Sequence, residues 1–415
     1  MTRFGDFITD MLLYNQSEDF VVVFYLVRTH HVLKIRSLVL MGVGHTNADV
    51  VLKWSKSPIE NCRLVCISKF PYSTYSGMLP GTLAGQFASE EMQISLPALI
   101  ERAGAELILD DVVSVNPENR TIHFANRSPL IFDVLSVGIG SIPAESNKFD
   151  TINIVPIKPM QTFVERFDYR LNHCLNNLDR SPEIAIVGGG VAGIELAFCI
   201  RERFLRRVPS HSPRFRILTS GEEIGDGLSS DSIRKLRRLL SKKSIEVITG
   251  FRVAKTTHEA VINQNGRSQQ ADVVIWATGA AAPPVLSKLG LPVDDAGFLA
   301  TDKTLRTTAQ NHPIFAVGDS GTIIVDPSPK AGVYAVRQAP ILWSNLKAIL
   351  KNDSLEEFSP QKEFLKILNT GEGKALLQYK SMNFHAKWCW KLKTYIDKSF
   401  VQKYQFEKIQ SQEKK

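Results

Sequence analysis

The sequence predicts an α/β fold made of two units of parallel sheet and helix, one inserted into the other, with a C-terminal segment that is helical or α+β. Three observations predict it. The apolar run Ser37-Leu38-Val39-Leu40 closes on the turn Gly42-Val43-Gly44-His45-Thr46-Asn47. A second run, Ile184-Ala185-Ile186-Val187, closes on Gly188-Gly189-Gly190-Val191-Ala192-Gly193. A third, Phe315-Ala316-Val317, ends in Gly318-Asp319. Apolar strands without polar alternation are those of a sheet covered by helices on both faces.

The elements follow in order. Residues 1–35 form an N-terminal arm without an assigned role. A strand over 37–41, a helix through 48–54 and a strand over 63–68 begin the first unit. A loop rich in Ser, Tyr, Gly and Pro covers 71–86. Alternating strands near 105–116 and 121–125 and an apolar strand at 132–137 close the unit, which spans 36–150. Residues 151–299 repeat the scheme: strand 184–187, helix 191–206, strand 215–219, a basic helix near 231–243, strand 245–248 and the apolar strand before Ala277-Thr278-Gly279. Residues 300–350, with strand 314–317 and helix 331–350, return to the first unit. The last segment, 351–415, is polar and aromatic.

Composition narrows the function classes. At 415 residues, with 44% hydrophobic and 22% charged residues, the chain is long enough for two or three cored domains. The five cysteines form no metal-type cluster, and no metal is expected; they read as buried thiols of a cytoplasmic chain. No run reaches the length of a membrane span. The +8 charge sits at the end of the chain, where ten lysines face three acids from Lys374 onward. That asymmetry argues against nucleic acid as a partner and for an acidic surface, such as the inner face of a membrane, met peripherally through 374–415. Phe384, Trp388, Trp390, Tyr395, Phe400 and Tyr404 interleave with those lysines. The competing expectation is a helix that packs its aromatics on the body of the protein.

In the second turn Gly188, Gly190 and Gly193 fill the three positions of G-x-G-x-x-G, a dinucleotide fingerprint. They serve the tight turn, the approach of backbone to pyrophosphate, and close helix–strand packing. Val191 and Ala192 then present helix N-terminal N–H groups to the phosphates. The first turn has Gly42 and Gly44, with His45 following, but Asn47 in place of the third glycine. Asn47 there either spaces the helix from the strand or turns its amide to a ligand. The strand-end positions that hold a ribose are Ser68 in the first unit and Thr219-Ser220 in the second, and none is acidic. Glu222 or Glu223 is in sequence range of a ribose, Arg214 or Arg216 of a 2′-phosphate, so NADH and NADPH both stand. Asp319, beside Gly318, suits the sugar-chain hydroxyls of a flavin. Lys330 and Ala331 open a helix whose N-terminus suits negative charge on a reduced flavin ring.

At these residues the chain resembles the pyridine nucleotide–disulfide oxidoreductase superfamily over about 36–350. The segments Tyr75–Gly81, Phe132–Ser141 and Pro329–Gln338 look most like the NADH-dehydrogenase-like module often fused in front of selenide, water dikinase, and the expectation is a free-standing copy of it. The stretch Trp388–Lys393 with Ile396-Asp397 is similar to that module's end. The resemblance implies two Rossmann-like domains, FAD in the outer unit and NAD(P)H in the inserted one. It implies that Ser76, Gly77, Met78, Leu79 and Pro80 line the flavin ring, with Gly138 and Gly279 at the nucleotide sites. Glu195 matches an acid near the nicotinamide in type II NADH dehydrogenases, with Lys158 as a partner. No cysteine lies between positions 67 and 173, so a redox disulfide beside the flavin is not expected. The expected activity is hydride transfer from NAD(P)H to FAD, with electrons passing to a quinone or other diffusible acceptor. The alternatives are a reductase serving selenium or sulfur metabolism, and a flavin-bearing signalling or scaffold protein with little turnover.

Overall fold

The computed structural model describes residues 35–406, apart from 147, 150, 209–212, 310 and 311. The arm expected over 1–35 lies, except for Ile35, outside the described residues. The first sheet is built from β1 (Arg36–Met41), β2 (Cys62–Ser68), β3 (Glu106–Leu109), β4 (Val134–Val137) and, far along the chain, Ile314–Ala316. All pairings are parallel, and Ile314–Ala316 lies beside β4, on the side away from β1. Helix α1 (His45–Trp54) leaves the first glycine turn, and the short helix α2 (Leu79–Leu83) follows in the next loop.

The second sheet repeats the plan within residues 154–276. Its strands are β5 (Ile154–Pro156), β6 (Glu183–Val187), β7 (Arg214–Leu218), β8 (Ile245–Ile248) and β9 (Val273–Trp276), ordered β5-β9-β6-β7-β8 and all parallel. Helix α3 (Phe163–Asn177) precedes β6, α4 (Val191–Arg207) follows it, and α5 (Ser230–Lys242) lies between β7 and β8. Sequence patterning did not anticipate α3, whose apolar stripe Phe163, Phe167, Leu171, Cys174 is buried. Ile142-Pro143 pairs antiparallel with Ala280-Ala281 where the chain crosses between the two units.

The strand Ile314–Ala316 becomes β10, and α6 (Gly332–Lys351) packs along α1. The last segment is mixed rather than helical only. An antiparallel sheet of β11 (Lys366–Asn369), β12 (Ala375–Tyr379) and β13 (Met382–Ala386) is followed by α7 (Lys387–Gln402).

Glycine decides the geometry at the heads of α1 and α4. Gly42 (φ +85°) and Gly188 (φ +131°) adopt backbone conformations that L side chains rarely take. A Cβ on Gly42 would stand 2.5 Å from the Gly138 carbonyl oxygen, and one on Gly188 would stand 2.2 Å from that of Ala277. Gly193 presses α4 onto the turn, where a Cβ would meet the Gly188 carbonyl oxygen at 1.9 Å. At Gly190 an added Cβ meets nothing within 4 Å. Gly193→Ala is therefore expected to lower the unfolding free energy by about 3 kcal/mol in chemical denaturation. Gly190→Ala is expected to stay within about 1 kcal/mol of the parent and to weaken dinucleotide binding instead.

Candidate functional site

Both glycine turns leave the C-terminal ends of central strands, and both open onto one cleft of about 1220 Å³. In open parallel sheets ligands bind at that edge, where the strand order reverses. The N-cap residues are Gly44 for α1 and Gly190 for α4, and neither helix has a side-chain cap. The first-turn N–H groups thus face the cleft with their partial positive charge. Gly42, Gly44, His45, Asn47, Ser68, Ser76, Gly77, Leu79, Pro80, Gly138, Gly188, Gly190, Val191, Ala192, Glu195, Gly279, Gly318, Asp319, Lys330 and Ala331 line it, as does Lys158. Met78 is fully buried and lies outside the lining, and Gly193 sits behind the turn as a packing residue.

Several side chains are used differently from the expectation. Asn47 turns its amide inward: Nδ2 donates to the Gly42 carbonyl at 2.7 Å, and Oδ1 accepts from the Ser136 hydroxyl at 2.8 Å. It ties helix to strand across the gap that a third glycine would have closed. Lys158 does not meet Glu195; its ammonium lies 3.5 Å from Asp319 and donates to Ser141 at 2.7 Å. Ser141 in turn donates to Asp319 at 2.6 Å. Burial lowers the Lys158 pKa, and Asp319 opposes that. The Lys330 ammonium donates to the Gly321 carbonyl at 2.6 Å and to Thr322 at 2.8 Å, and lies 4.0 Å over the Phe298 ring. It braces the strand after Asp319 instead of standing at the helix mouth, and burial brings its pKa down to about 8.

Arg214 and Arg216 are removed from the 2′-phosphate question. They sit at the start of β7, the edge opposite the cleft. Arg214 pairs with Glu183 at 3.5 Å, and Arg216 binds Glu183 together with Glu246 at 3.0 Å. Glu223 is tied to Arg237 at 2.5 Å and to its neighbour's N–H, and neither it nor Glu222 lines the cleft.

The C-terminal helix brings what sequence reading missed. Along α7, positions 389, 393, 397 and 400 fall on one face. That face carries Cys389, Lys393, Asp397 and Phe400 into the protein. The Lys393 ammonium lies 3.9 Å from Glu195 and 3.1 Å from Asp397, and donates to the Gly77 carbonyl at 2.9 Å. Tyr75 donates its hydroxyl to Asp397 at 3.2 Å and stacks on Phe400 at 4.6 Å. Glu195 accepts the Asn369 N–H at 2.7 Å. Burial raises the Glu195 pKa above its ordinary value, with Lys393 pulling the other way. Burial lowers that of Lys393, but Glu195 and Asp397 outweigh it and the net shift is upward. The signal was present as a Lys–Asp pair at i,i+4 on an otherwise apolar helix stripe.

The arrangement can cradle two phosphate groups at two helix N-termini and hold a sugar chain at Asp319. Glu195, an acid whose pKa burial raises, also lines the cleft. No cysteine is among the cleft-lining residues, and the five cysteines are unpaired thiols.

The sequence pattern of the pyridine nucleotide-disulphide oxidoreductases matches residues 37–339. The chain belongs to that family. As a member of it, the protein is an oxidoreductase, and its distant relatives are of the NADH dehydrogenase type. It is 22% identical over 331 residues to the NADH dehydrogenase-like protein YutJ of Bacillus subtilis, covering 79% of this chain and 87% of that protein. It is 19% identical over 345 residues to the type II NADH:quinone oxidoreductase of Staphylococcus aureus, covering 78% and 85%. The crystal structure of the sulfide:quinone oxidoreductase of Aquifex aeolicus shares its fold. The TM-score is 0.73 at 18% identity, covering 89% of this chain and 91% of that one.

His45 gives the site a pH signature. Its ring lies 5.3 Å from Tyr75 and 5.5 Å from Phe400. Burial drives its pKa down to about 4; Asp319 opposes the shift and Lys158 adds to it. An unfolded histidine takes up a proton near pH 6.5, while the native ring stays neutral to about pH 4. In that window the unfolded state binds more protons, so stability falls as the pH falls. The loss is at most about 3 kcal/mol, because the ring keeps some access to the cleft. His45→Gln is expected to flatten this component, read as the difference between urea midpoints of parent and variant from pH 6.5 to pH 4.

Proposed function

We propose that this protein is a dehydrogenase that binds FAD at the Gly42 turn and NAD(P)H at the Gly188 turn, and that its electrons pass to a quinone. The observation that carries the reading is the single cleft entered by two uncapped glycine-headed helices, with Asp319 set between the sheets. The residues fit the two groups. Gly44 and Gly190 leave backbone accessible where pyrophosphates approach. Asp319 is fixed by Ser141 and Lys158, which leaves its carboxylate to accept from sugar-chain hydroxyls. When both groups are bound, the chemistry they supply is hydride transfer from nicotinamide to flavin.

The chain's own part is positioning and proton management. Ser76, Gly77, Leu79 and Pro80 form one wall, held from behind by the bond from Lys393 to the Gly77 carbonyl. An added Cβ on Gly77 would meet the Tyr75 ring at 2.7 Å and Asp397 at 2.9 Å, so the wall admits only backbone at that point. Glu195, largely buried, in contact with the cleft and 3.9 Å from the Lys393 ammonium, is placed to exchange a proton with a bound acceptor. Orientation accounts for most of the acceleration in such a site.

The expected result is a yellow protein whose flavin absorbance bleaches on anaerobic titration with one of the nicotinamides. Asp319→Ala is expected to purify with most of its flavin lost. A colourless parent, or flavin that neither NADH nor NADPH bleaches, defeats the reading. Turnover with selenium or sulfur acceptors but not with quinones would redirect it.

The outer face of α7 supports a lipid-borne acceptor. Trp388, Tyr395 and Ile396 are 49%, 72% and 40% exposed, and Phe384 beside them is 45% exposed. Lys387 and Lys391 share this stretch. No helix among the described residues is long and apolar enough to cross a membrane, so contact would be peripheral. Removing the whole segment would also remove Lys393 and Asp397. The informative variant is therefore Phe384→Ser, Trp388→Ser and Tyr395→Ser together. It is expected to lose flotation with anionic vesicles; flotation equal to that of the parent sinks the membrane contact.

A further inference from the structure

We infer that the dinucleotide this protein prefers carries a 2′-phosphate, so that NADPH is bound ahead of NADH, and that Arg252 holds that phosphate. The inference rests on the reading that the Gly188 turn takes a nicotinamide dinucleotide. In such a fold the adenosine ribose lies at the C-terminal end of the strand after the glycine-turn helix, here β7. Selection for NADH requires an acid there, which accepts from the 2′-hydroxyl and repels a 2′-phosphate.

At the end of β7 the residues are Leu218-Thr219-Ser220, and all three line the cleft. Thr219 packs against the turn so closely that a Cβ on Gly189 would stand 2.6 Å from its Oγ1. Ser220 is exposed. The nearest acids in sequence, Glu222 and Glu223, lie outside the lining, and Glu223 is already tied to Arg237. The strand-end position itself is therefore uncharged, with a short hydroxyl side chain, and the Glu222 carboxylate lies on the Gly250 side, 3.9 Å from where a Cβ on that glycine would stand.

The cation comes from the neighbouring loop. The Phe251 N–H donates to the Thr219 carbonyl at 2.8 Å, and the Gly250 N–H donates to the Gly221 carbonyl at 3.0 Å. The Arg252 carbonyl accepts the Gln264 N–H at 3.1 Å. These backbone bonds fix the stem of Arg252 beside the end of β7, and Arg252 itself lines the cleft. Its guanidinium lies 3.4 Å from Glu145, with the two side chains 57% and 30% exposed. A pair so open to water is weak. A 2′-phosphate, doubly charged and matched to the guanidinium fork, competes well for it. The other lysines and arginines lining the cleft among the described residues are Lys69, Lys158 and Lys330. Lys69 pairs with Asp111, Lys158 with Asp319, and Lys330 with Gly321 and Thr322. All three stand with the flavin-side elements.

The test is calorimetric titration of the flavin-loaded protein with 2′,5′-ADP and with 5′-AMP, probes that differ only in the 2′-phosphate. The parent is expected to bind 2′,5′-ADP at least about tenfold more tightly, the scale of one charge-assisted contact. Arg252→Ala is expected to bring the ratio near one, and Arg252→Glu to bring it below one. The flavin absorbance band of each variant checks that it has folded. Equal affinities in the parent, or an unchanged ratio in Arg252→Ala, overturn the assignment while leaving the dehydrogenase reading intact. Failure to bind either probe, together with no bleaching by either nicotinamide, overturns both.

Discussion

The structure depends on one close approach made twice. Gly42 lies against the backbone that leaves β4, and Gly188 against the backbone that leaves β9. In each case the distance admits no side chain, and the positive φ directs the chain from strand into helix with its N-terminus over the sheet edge. Everything chemical follows from that aim. Because α1 and α4 start on glycines without capping side chains, their first-turn N–H groups are left for a ligand. A serine or aspartate cap would stabilise either helix by roughly a few tenths of a kcal/mol over glycine and would occupy the same groups. The fold forgoes that stabilisation at the two places where phosphate binding needs it absent.

The second constraint is a buried charge group that no single element contains. Glu195 comes from α4, Lys393 and Asp397 from α7, and the Tyr75 hydroxyl from the loop before α2. One ammonium faces two carboxylates, and all three side chains are nearly removed from water, with exposures of 12%, 13% and 5% for Glu195, Lys393 and Asp397. A single cation cannot neutralise both acids, and an unpaired buried charge costs several kcal/mol. The relief is asymmetric. Asp397 has the closer ammonium at 3.1 Å and the tyrosine donor, whereas Glu195 has the ammonium at 3.9 Å and one backbone N–H. Burial raises the Glu195 pKa, and Glu195 is also in contact with the cleft.

Much of this was legible in the sequence, and what was not has physical reasons. Local signals found the turns: three glycines at fixed spacing after an apolar strand have few other uses. The return of Phe315–Val317 to the first sheet was also readable, as an apolar strand ending in Gly-Asp. Side-chain direction was not. Arg214 and Arg216 lie within six residues of the ribose position, yet both side chains are drawn to Glu183 at the other end of the neighbouring strand. Lys330 was recognised as a cation near the flavin and Lys158 as a partner of Glu195, but their partners are set by tertiary contacts with Ser141, Asp319 and the Gly321 carbonyl. Asn47 was recognised as a departure from the pattern, and only the structure shows that its amide bridges Gly42 and Ser136. Arg252 escaped notice because it lies more than 30 residues beyond β7 and reaches it through backbone bonds across a loop.

The C-terminal helix shows why a binary choice from composition was too coarse. Its aromatics and lysines were read as belonging either to a membrane surface or to the protein body. Helical periodicity lets both hold at once, since residues three or four apart can line a buried face while others on the same helix stay exposed. Cys389, Lys393, Asp397 and Phe400 go inward; Trp388, Tyr395 and Ile396 stay outside. The inner face fixes the wall at Gly77 and places the Lys393 ammonium 3.9 Å from Glu195. The outer face presents an apolar strip one helix diameter away. One helix therefore carries both the contact that holds the Gly77 wall and a surface that stays open to solvent.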